Sequence, residues 1–121
     1  MRLPAFLLLI LAASRLYAAT PADASHHEIE LLLTRLETSG CQFNRNGSWY
    51  QGGEAKSHLL RKLDYLDSHG GVRSTEQFIE QAASSSSSTG KPYWVKCGSA
   101  APMQSGKWLT GELAHLRATN P

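Results

Sequence analysis

The chain has 121 residues and a formal net charge of +2. Removal of an amino-terminal leader would take Arg2 and Arg15 with it and leave ten Lys and Arg residues against ten Asp and Glu residues. This balance argues against nucleic-acid binding, which needs a concentrated basic face to displace counterions from phosphates. The length predicts one domain.

The first 19 residues predict a cleavable secretory signal peptide. Met1 and Arg2 precede the apolar run 3–13, and the small residues Ala18 and Ala19 follow, with cleavage expected after one of them. The run is shorter than the roughly 20 residues that a spanning helix needs, so we expect a removed leader rather than a membrane anchor. We therefore expect residues 20–121 to form one exported domain without a membrane span.

A helix followed by a β-hairpin is predicted for residues 25–51. Ser25 and Glu28 have the spacing of a capping box at a helix start. Apolar residues then recur at positions 29, 32, 33 and 36, which is helical spacing, up to Gly40. Asn46 and Gly47 are typical of a tight hairpin turn, so we expect one short strand before them and one after.

Two further helices are predicted between residues 55 and 83. Glycines at 52 and 53 break the pattern, and apolar residues then recur at 55, 59, 63 and 66 before glycines 70 and 71. We expect the charged residues of this helix to be mostly solvated: Lys56, Arg61, Lys62 and Asp64. Ser74 and Gln77 form a second capping box ahead of a brief helix with apolar positions 78, 79, 82 and 83.

The remainder of the chain predicts a loop, one or two strands and a last helix. The serine run 84–88 and Pro92 oppose helix continuation, because hydroxyls compete for backbone hydrogen bonds and proline lacks an N–H group. Tyr93 and Val95 alternate with polar or amphipathic neighbours, which predicts a strand, and a short strand can follow near Pro102. Ser105 is expected to cap a helix with apolar positions 108, 109, 113 and 116.

The element order is therefore α-β-β-α-α-β, an optional further β, and α. This order predicts the α+β class, with a small antiparallel sheet of three or four short strands packed against about four helices. Cys41 and Cys97 are the only cysteines, and an oxidising compartment favours a disulfide between them over two buried thiols. The bridge would place the strand around Val95 beside the first strand.

The catalytic and metal-binding patterns in the chain are incomplete. The serine run lacks the first glycine of a phosphate-binding loop and the Ser or Thr after the lysine. Ser88 and Lys91 have the spacing of a serine acyl-transfer nucleophile, but its partner motifs are missing. The histidines lack the spacing of zinc ligands: His26, His27, His58, His69 and His115. We expect no metal and no cofactor, and we expect His58, beside an apolar stripe, to make a structural hydrogen bond.

Several short segments, taken in order, match one known pattern. They are residues 43–47, residues 58–59 with 62–63, residues 75–79 and residues 83–93. Over roughly residues 26–117 the chain resembles the YfeK-like family of small exported bacterial proteins, a domain of unknown function. The resemblance implies a periplasmic location and no assigned reaction. The positions that match its motifs are Arg45, Asn46, Gly47, His58, Ser84, Ser86, Gly90, Lys91 and Tyr93.

The predicted function is a non-enzymatic binding or interaction module of the cell envelope. We expect Arg45, Lys91 and the serine hydroxyls to bind an anionic small molecule, a cell-wall fragment or an envelope protein. One alternative is a small hydrolase that uses a serine of the 84–88 run with His58 or Lys91 as base. Another is an inhibitor of a lytic enzyme such as lysozyme, although known periplasmic inhibitors of that kind are mainly β.

Overall fold

The computed structural model describes residues 2, 4, 5 and 21–119, which contain four helices and a four-stranded antiparallel sheet. The helices are α1 (Pro21–Thr38), α2 (Gly52–Asp67), α3 (Thr75–Ala82) and α4 (Ser105–Thr119). The strands are β1 (Gln42–Arg45), β2 (Ser48–Gln51), β3 (Trp94–Lys96) and β4 (Met103–Gln104). The α+β class and the element order are confirmed, including the optional fourth strand. The predicted leader lies outside the described residues, apart from residues 2, 4 and 5.

The sheet has the strand order β2-β1-β3-β4, and its two faces differ. Phe43 pairs with Tyr50 on one side and with Val95 on the other, and both Phe43 and Val95 are buried in the core. The neighbouring residues Trp49 and Trp94 project from the opposite face, since side chains alternate along a strand. Trp49 remains 42% exposed. One face of the sheet therefore supports the helices and the other is open.

The α1 helix lies at the centre of the core and is longer than predicted. It begins at Pro21, and proline is favoured at the first position of a helix. The predicted start at Ser25 is wrong, because Ser25 lies inside the helix and its hydroxyl donates to the main-chain oxygen of Arg73, 3.3 Å away. The predicted apolar stripe of α1 is fully buried: Ile29, Leu32, Leu33 and Leu36. No helix within the described residues is long and apolar enough to cross a membrane.

Glycine 52 allows α2 to begin against the end of α1. The predicted break at this position is wrong, since both Gly52 and Gly53 belong to α2. A Cβ atom on Gly52 would lie 2.5 Å from the main-chain oxygen of Leu36 and 2.9 Å from the Cα atom of Glu37. No side chain fits at that separation, so glycine is required for close packing rather than for a turn.

The two predicted caps of the later helices have different outcomes. Ser74 caps α3, since its hydroxyl accepts a hydrogen bond of 3.0 Å from the main-chain nitrogen of Gln77. Ser105 does not cap α4, because its fully buried hydroxyl has no hydrogen-bond partner among the described residues. The main-chain N–H of Ser105 instead donates to the oxygen of Tyr93, at 2.9 Å, which extends the β3–β4 pairing and turns the side chain into the core.

A disulfide joins Cys41 and Cys97, whose Cα atoms are 4.2 Å apart. It connects the segment before β1 to the end of β3, and the two strands pair antiparallel with Phe43 opposite Val95. The predicted bridge and the predicted neighbourhood of the two strands are both confirmed.

Candidate functional site

Three residues singled out from the sequence meet between β1, α2 and the start of β3. Arg45 ends β1 on the core-facing side of the sheet, and its Nη1 atom lies 2.8 Å from Nδ1 of His58. His58 Nε2 lies 3.3 Å from the hydroxyl oxygen of Tyr93. The Tyr93 ring is fully buried and packs against Phe43, with 5.0 Å between ring centroids. Core packing therefore fixes the hydroxyl on which this network is built.

Lys62 completes the network, although the sequence indicated a solvated side chain. Its Nζ atom donates to the Tyr93 hydroxyl and to the main-chain oxygen of Ser85, both at 3.1 Å. The prediction for Lys62 is wrong because the segment that carries Ser85 and Tyr93 returns over α2 and covers the lysine. One signal was available, since His58 and Lys62 are four residues apart and so share a face of α2. Arg61 lies close enough for its positive charge to act on His58. We call Arg45, His58, Arg61, Lys62 and Tyr93 the cation cluster.

The hydrogen bonds assign the tautomer of His58. An arginine can only donate, so Nδ1 of His58 accepts from Arg45 and Nε2 carries the proton. Nε2 then donates to the Tyr93 oxygen, which also accepts from Lys62. Arg45 Nη1 lies 3.2 Å from Nε2 as well, but that longer contact would join two donors. The neutral His58 ring therefore links Arg45 to the buried Tyr93 hydroxyl through one accepted and one donated hydrogen bond.

The electrostatics of the cation cluster agree with a neutral His58. Burial, followed by the positive charges of Arg45, Lys62 and Arg61, lowers the pKa of His58 to about 4. Burial, and then the charge of Arg45, also lowers the pKa of Lys62. The pKa of Tyr93 is raised, mainly by burial. At neutral pH the histidine and the phenol are uncharged, and the arginines and the lysine supply the positive charge.

A cavity of about 220 Å³ opens beside Arg45 and His58. It is lined by Phe43, Arg45, Tyr50, Glu54, Ala55, Ser57, His58 and Arg61. Among the described residues, no carboxylate lies within 4.0 Å of the charged groups of Arg45, Arg61 or Lys62. Glu54 lines the cavity but forms no ion pair with them. The positive charge of this cavity is thus uncompensated by contact with an acid.

The hairpin tip and the serine loop are joined by side-chain hydrogen bonds. Asn46 donates to the hydroxyl of Ser86, at 3.3 Å, and accepts from the hydroxyl of Thr89, at 2.8 Å. The loop is closed on itself by main-chain bonds from Ser86 to Lys91 and from Gly90 to Ser86, both 2.9 Å. These polar groups bond to one another, and we call them the clasp, which lies next to the cation cluster.

Two predicted site residues do not reach the cation cluster. The hydroxyl of Ser84 donates to the main-chain oxygen of Ile79, at 2.6 Å, so it faces α3 rather than the cavity. The side chain of Lys91 is exposed, and the hydrogen bonds found for this residue involve its main chain. Within the described part of the chain, no serine hydroxyl lies within hydrogen-bonding distance of the His58 ring or of Lys91 Nζ. The serine–base pair of a hydrolase is not formed by these residues.

No group of three or more His, Cys, Asp or Glu residues able to hold a metal ion occurs within residues 2, 4, 5 and 21–119. The donors that converge at the cavity are instead nitrogen cations, a neutral imidazole and a phenol. This donor set suits an anion, because each of these groups can donate a hydrogen bond or attract negative charge. Glu54 also lines the cavity and is the acid among its lining residues.

The comparisons with known proteins place the chain in a family. The model of a family of unknown function, DUF5329, matches residues 23–117. The chain belongs to this family. The match to "Uncharacterized protein YfeK" of Salmonella typhimurium strain LT2 is 41% identical over 76 residues, which are 60% of this chain and 62% of the relative.

The resemblance to the YfeK-like family is thus confirmed, and it carries no assigned activity. The chain spans 62% of the length of the curated relative that it matches. No solved structure matches the chain.

Proposed function

We propose that the protein is an exported, non-enzymatic binding module of the cell envelope that holds an anionic group at the cation cluster. The observation that carries the proposal is a group of three cations around His58 without a contacting carboxylate among the described residues: Arg45 and Arg61 line the cavity, and Lys62 lies behind His58 at the Tyr93 hydroxyl. The clasp between the hairpin tip and the serine loop holds Asn46, the neighbour of Arg45, in place.

An uncompensated charge beside the core is costly, and that cost favours a ligand. Lys62 is half-buried, and a buried charge is tolerated when a counterion or strong hydrogen bonds accompany it. Lys62 has two neutral acceptors, the Tyr93 hydroxyl and a main-chain oxygen. A bound carboxylate or phosphate would supply the missing negative charge. Each hydrogen bond between such an anion and a cation is worth about 1.5–3 kcal/mol.

Titration with simple anions tests the proposal directly. We expect acetate or inorganic phosphate to bind wild-type protein in isothermal titration at low ionic strength and pH 7. Arg45→Gln should weaken that binding about tenfold or more, because it removes one charge-assisted hydrogen bond. Arg73→Gln is the matched control, since Arg73 is exposed and its hydrogen bonds among the described residues involve its main chain. Equal binding by both variants would refute the proposal.

The location is part of the same proposal. The leader pattern of residues 1–19 and the family resemblance support the periplasm of a Gram-negative bacterium, and a disulfide is typical of oxidising compartments. Mass spectrometry of protein recovered from its native cell should find a chain that begins at residue 19 or 20 with Cys41 and Cys97 bridged. A chain that retains Met1 and carries two free thiols would refute export.

The two alternative functions gain no supporting observation from the described residues. The hydrolase needs a serine activated by His58 or Lys91, and the hydrogen bonds of His58 go to Arg45 and Tyr93 instead. The inhibitor of a lytic enzyme stays a prediction. A lysozyme inhibition assay with purified protein checks it, and inhibition at equimolar protein would favour it over anion binding.

A further inference from the structure

A second cavity continues from the first along α2. Its volume is about 490 Å³, which lies within the range of roughly 300–1,000 Å³ found for small-molecule sites. It is lined by His58, Arg61, Lys62, Tyr65, Leu66, Gln81, Ala82 and Ser87. The two cavities share His58 and Arg61, so they meet at these side chains.

The α2 residues that line the two cavities form one stripe along the helix. Positions 54, 58, 61 and 65 are spaced by three or four residues, which places them on one face. From residue 54 to residue 66 this face is about 18 Å long, at 1.5 Å per residue. The two cavities therefore lie end to end on one face of α2, with the side chains of His58 and Arg61 between them. We call this pair of cavities, from the β1–β2 hairpin to α3, the trough.

The chemistry of the trough changes along its length. Its middle carries Arg61 and Lys62, with Arg45 facing them from β1. The part toward α3 is lined mostly by apolar atoms, including the ring of Tyr65, which is 63% exposed, and the partly buried Leu66. An exposed aromatic ring beside an apolar wall is a surface that gains free energy when a ligand covers it.

Glu54 makes the hairpin end of the trough unfavourable for an anion. Its carboxylate lines the hairpin end and repels negative charge there. An anionic head is therefore favoured at the junction of the cavities, where Arg45, Arg61 and Lys62 surround it. The first cavity is lined by charged as well as apolar side chains, so the wall toward α3 is the more apolar surface for any apolar part of the same ligand to cover.

From this arrangement we propose that the ligand is a single-tailed amphipathic anion, whose head binds the cation cluster and whose apolar tail lies between α2 and α3. The inference rests on the proposed function, because the head occupies the anion site. It goes further by assigning the second cavity and the chemical class of the ligand. The cations favour a negatively charged head, and the apolar cavity next to them favours an apolar tail on the same ligand.

Isothermal titration with three probes tests this assignment, with octanoate kept below its micellar concentration and 1-octanol below its solubility limit. The probes are acetate, which has only the head, octanoate, which has both parts, and 1-octanol, which has only the tail. We expect octanoate to bind about tenfold tighter than acetate or more, since burying even two methylene groups gives a factor of that size. We expect 1-octanol to bind about tenfold more weakly than octanoate, or more weakly still, because it lacks the charge-assisted hydrogen bonds of the head.

Two variants locate the tail, and circular dichroism checks that they fold. Tyr65→Ser removes the exposed ring, and Gln81→Glu places a charge in the apolar part with almost no change of shape. Both should abolish the advantage of octanoate over acetate. Gln104→Glu, on the open face of the sheet, is the matched control and should preserve it.

The outcomes separate this inference from the proposed function. If acetate and octanoate bind equally and Arg45→Gln weakens both, the tail site is refuted while the anion site stands. If octanoate and 1-octanol bind equally, the head is refuted for this ligand class. If no anion binds, or binding ignores Arg45, the proposed function fails and this inference fails with it.

Discussion

Arg117 and Arg45 each link several elements of the fold, but the charges around them differ. Arg117 of α4 donates to Glu28 of α1, at 2.8 and 3.1 Å, and pairs with Glu76 of α3. Arg45 of β1 donates to the neutral ring of His58, and no carboxylate among the described residues contacts it. The first arginine is compensated within the fold, whereas the second has positive neighbours.

Folding has opposite effects on the charged groups of the two clusters. Hydrogen bonds from Arg117 lower the pKa of Glu28 and Glu76, so folding favours their charged forms. Burial, with the charges of the cation cluster, lowers the pKa of His58, so folding disfavours its charged form. The Arg117 cluster should therefore add stability, and the cation cluster should subtract some while it retains the capacity to bind an anion.

Loss of the disulfide should lower the free energy of unfolding more than any change in either cluster. Cys41 lies between α1 and β1, and Cys97 directly follows β3. The bridge therefore ties both α1, which carries Glu28, and β1, which carries Arg45, to β3. Replacement of Cys41 and Cys97 by serine should lower the free energy of unfolding by about 4 kcal/mol in the chain-entropy model, because it releases a long closed loop. Urea denaturation at pH 7 measures the change. A loss below about 1 kcal/mol would contradict the role of the bridge as the common anchor.

Removal of an acid should destabilise the compensated cluster. Glu28→Gln leaves Arg117 with a weaker partner and weakens the bond to the buried Thr75 hydroxyl. We expect a loss of about 1–2 kcal/mol in urea denaturation. Glu30→Gln, at an exposed position of the same helix, is the matched control and should change stability by less than about 0.5 kcal/mol. Equal effects of the two variants would show that the Arg117 cluster contributes nothing measurable.

The pH dependence of stability should distinguish the two clusters. Since the pKa of His58 falls from 6.5 to about 4 on folding, the unfolded chain takes up the proton first as the pH decreases. Stability is therefore complete above pH 6.5 and declines toward pH 4. The slope stays below the roughly 1.4 kcal/mol per pH unit of one fully coupled proton, because solvent screens a half-buried ring.

His58→Gln should remove this decline between pH 6.5 and 4.5. Glu28 and Glu76 act at lower pH than His58, because their carboxyl pKa values lie below 4.5 in the folded chain. Their charged forms stabilise the fold, and this stabilisation is lost only as the pH falls below 4.5. Unfolding curves at half-unit pH steps measure both. A decline of equal slope in the wild type and His58→Gln would contradict the account of the cation cluster.

Replacing either arginine should have the smallest effect on the free energy of unfolding, and the two replacements should differ from each other. Arg117→Met should cost about 1 kcal/mol, whereas Arg45→Met should change stability by less than about 0.5 kcal/mol, because the lost bond to His58 is offset by relief of repulsion. Arg45→Met should also raise the pKa of His58 in an NMR titration, though only in part, because burial is the larger cause. Equal losses from both variants would remove the distinction between the clusters.

The turn and the strand pairing could be predicted because local chemistry determines them. Asn46 and Gly47 have φ angles of 50° and 86°, the positive values that an Asn-Gly hairpin turn requires. Cys41 and Cys97 had no other cysteine to pair with, so one bridge also predicted which strands are neighbours. These features depend on a few residues each and on no distant packing.

The cation cluster could be predicted only in part, because distant segments form it. Arg45, His58 and Tyr93 were singled out, but Lys62 was expected in solvent, since its cover comes from Ser85, 23 residues further along the chain. The balanced charge of the predicted mature chain gave no sign of a local excess of positive charge. Two of the acids, Glu28 and Glu76, pair with Arg117 away from the cation cluster, which only the tertiary structure shows.

An NMR titration with acetate at pH 7 and constant ionic strength tests the central claim most directly, because the side-chain Nε–H signals of Arg45, Arg61 and Arg117 report on both clusters in one sample. The account predicts saturable shifts at Arg45 and Arg61 and an unchanged signal from Arg117, whose partners are already in place. Shifts of the same size at all three arginines, or shifts that grow linearly without saturation, would contradict it.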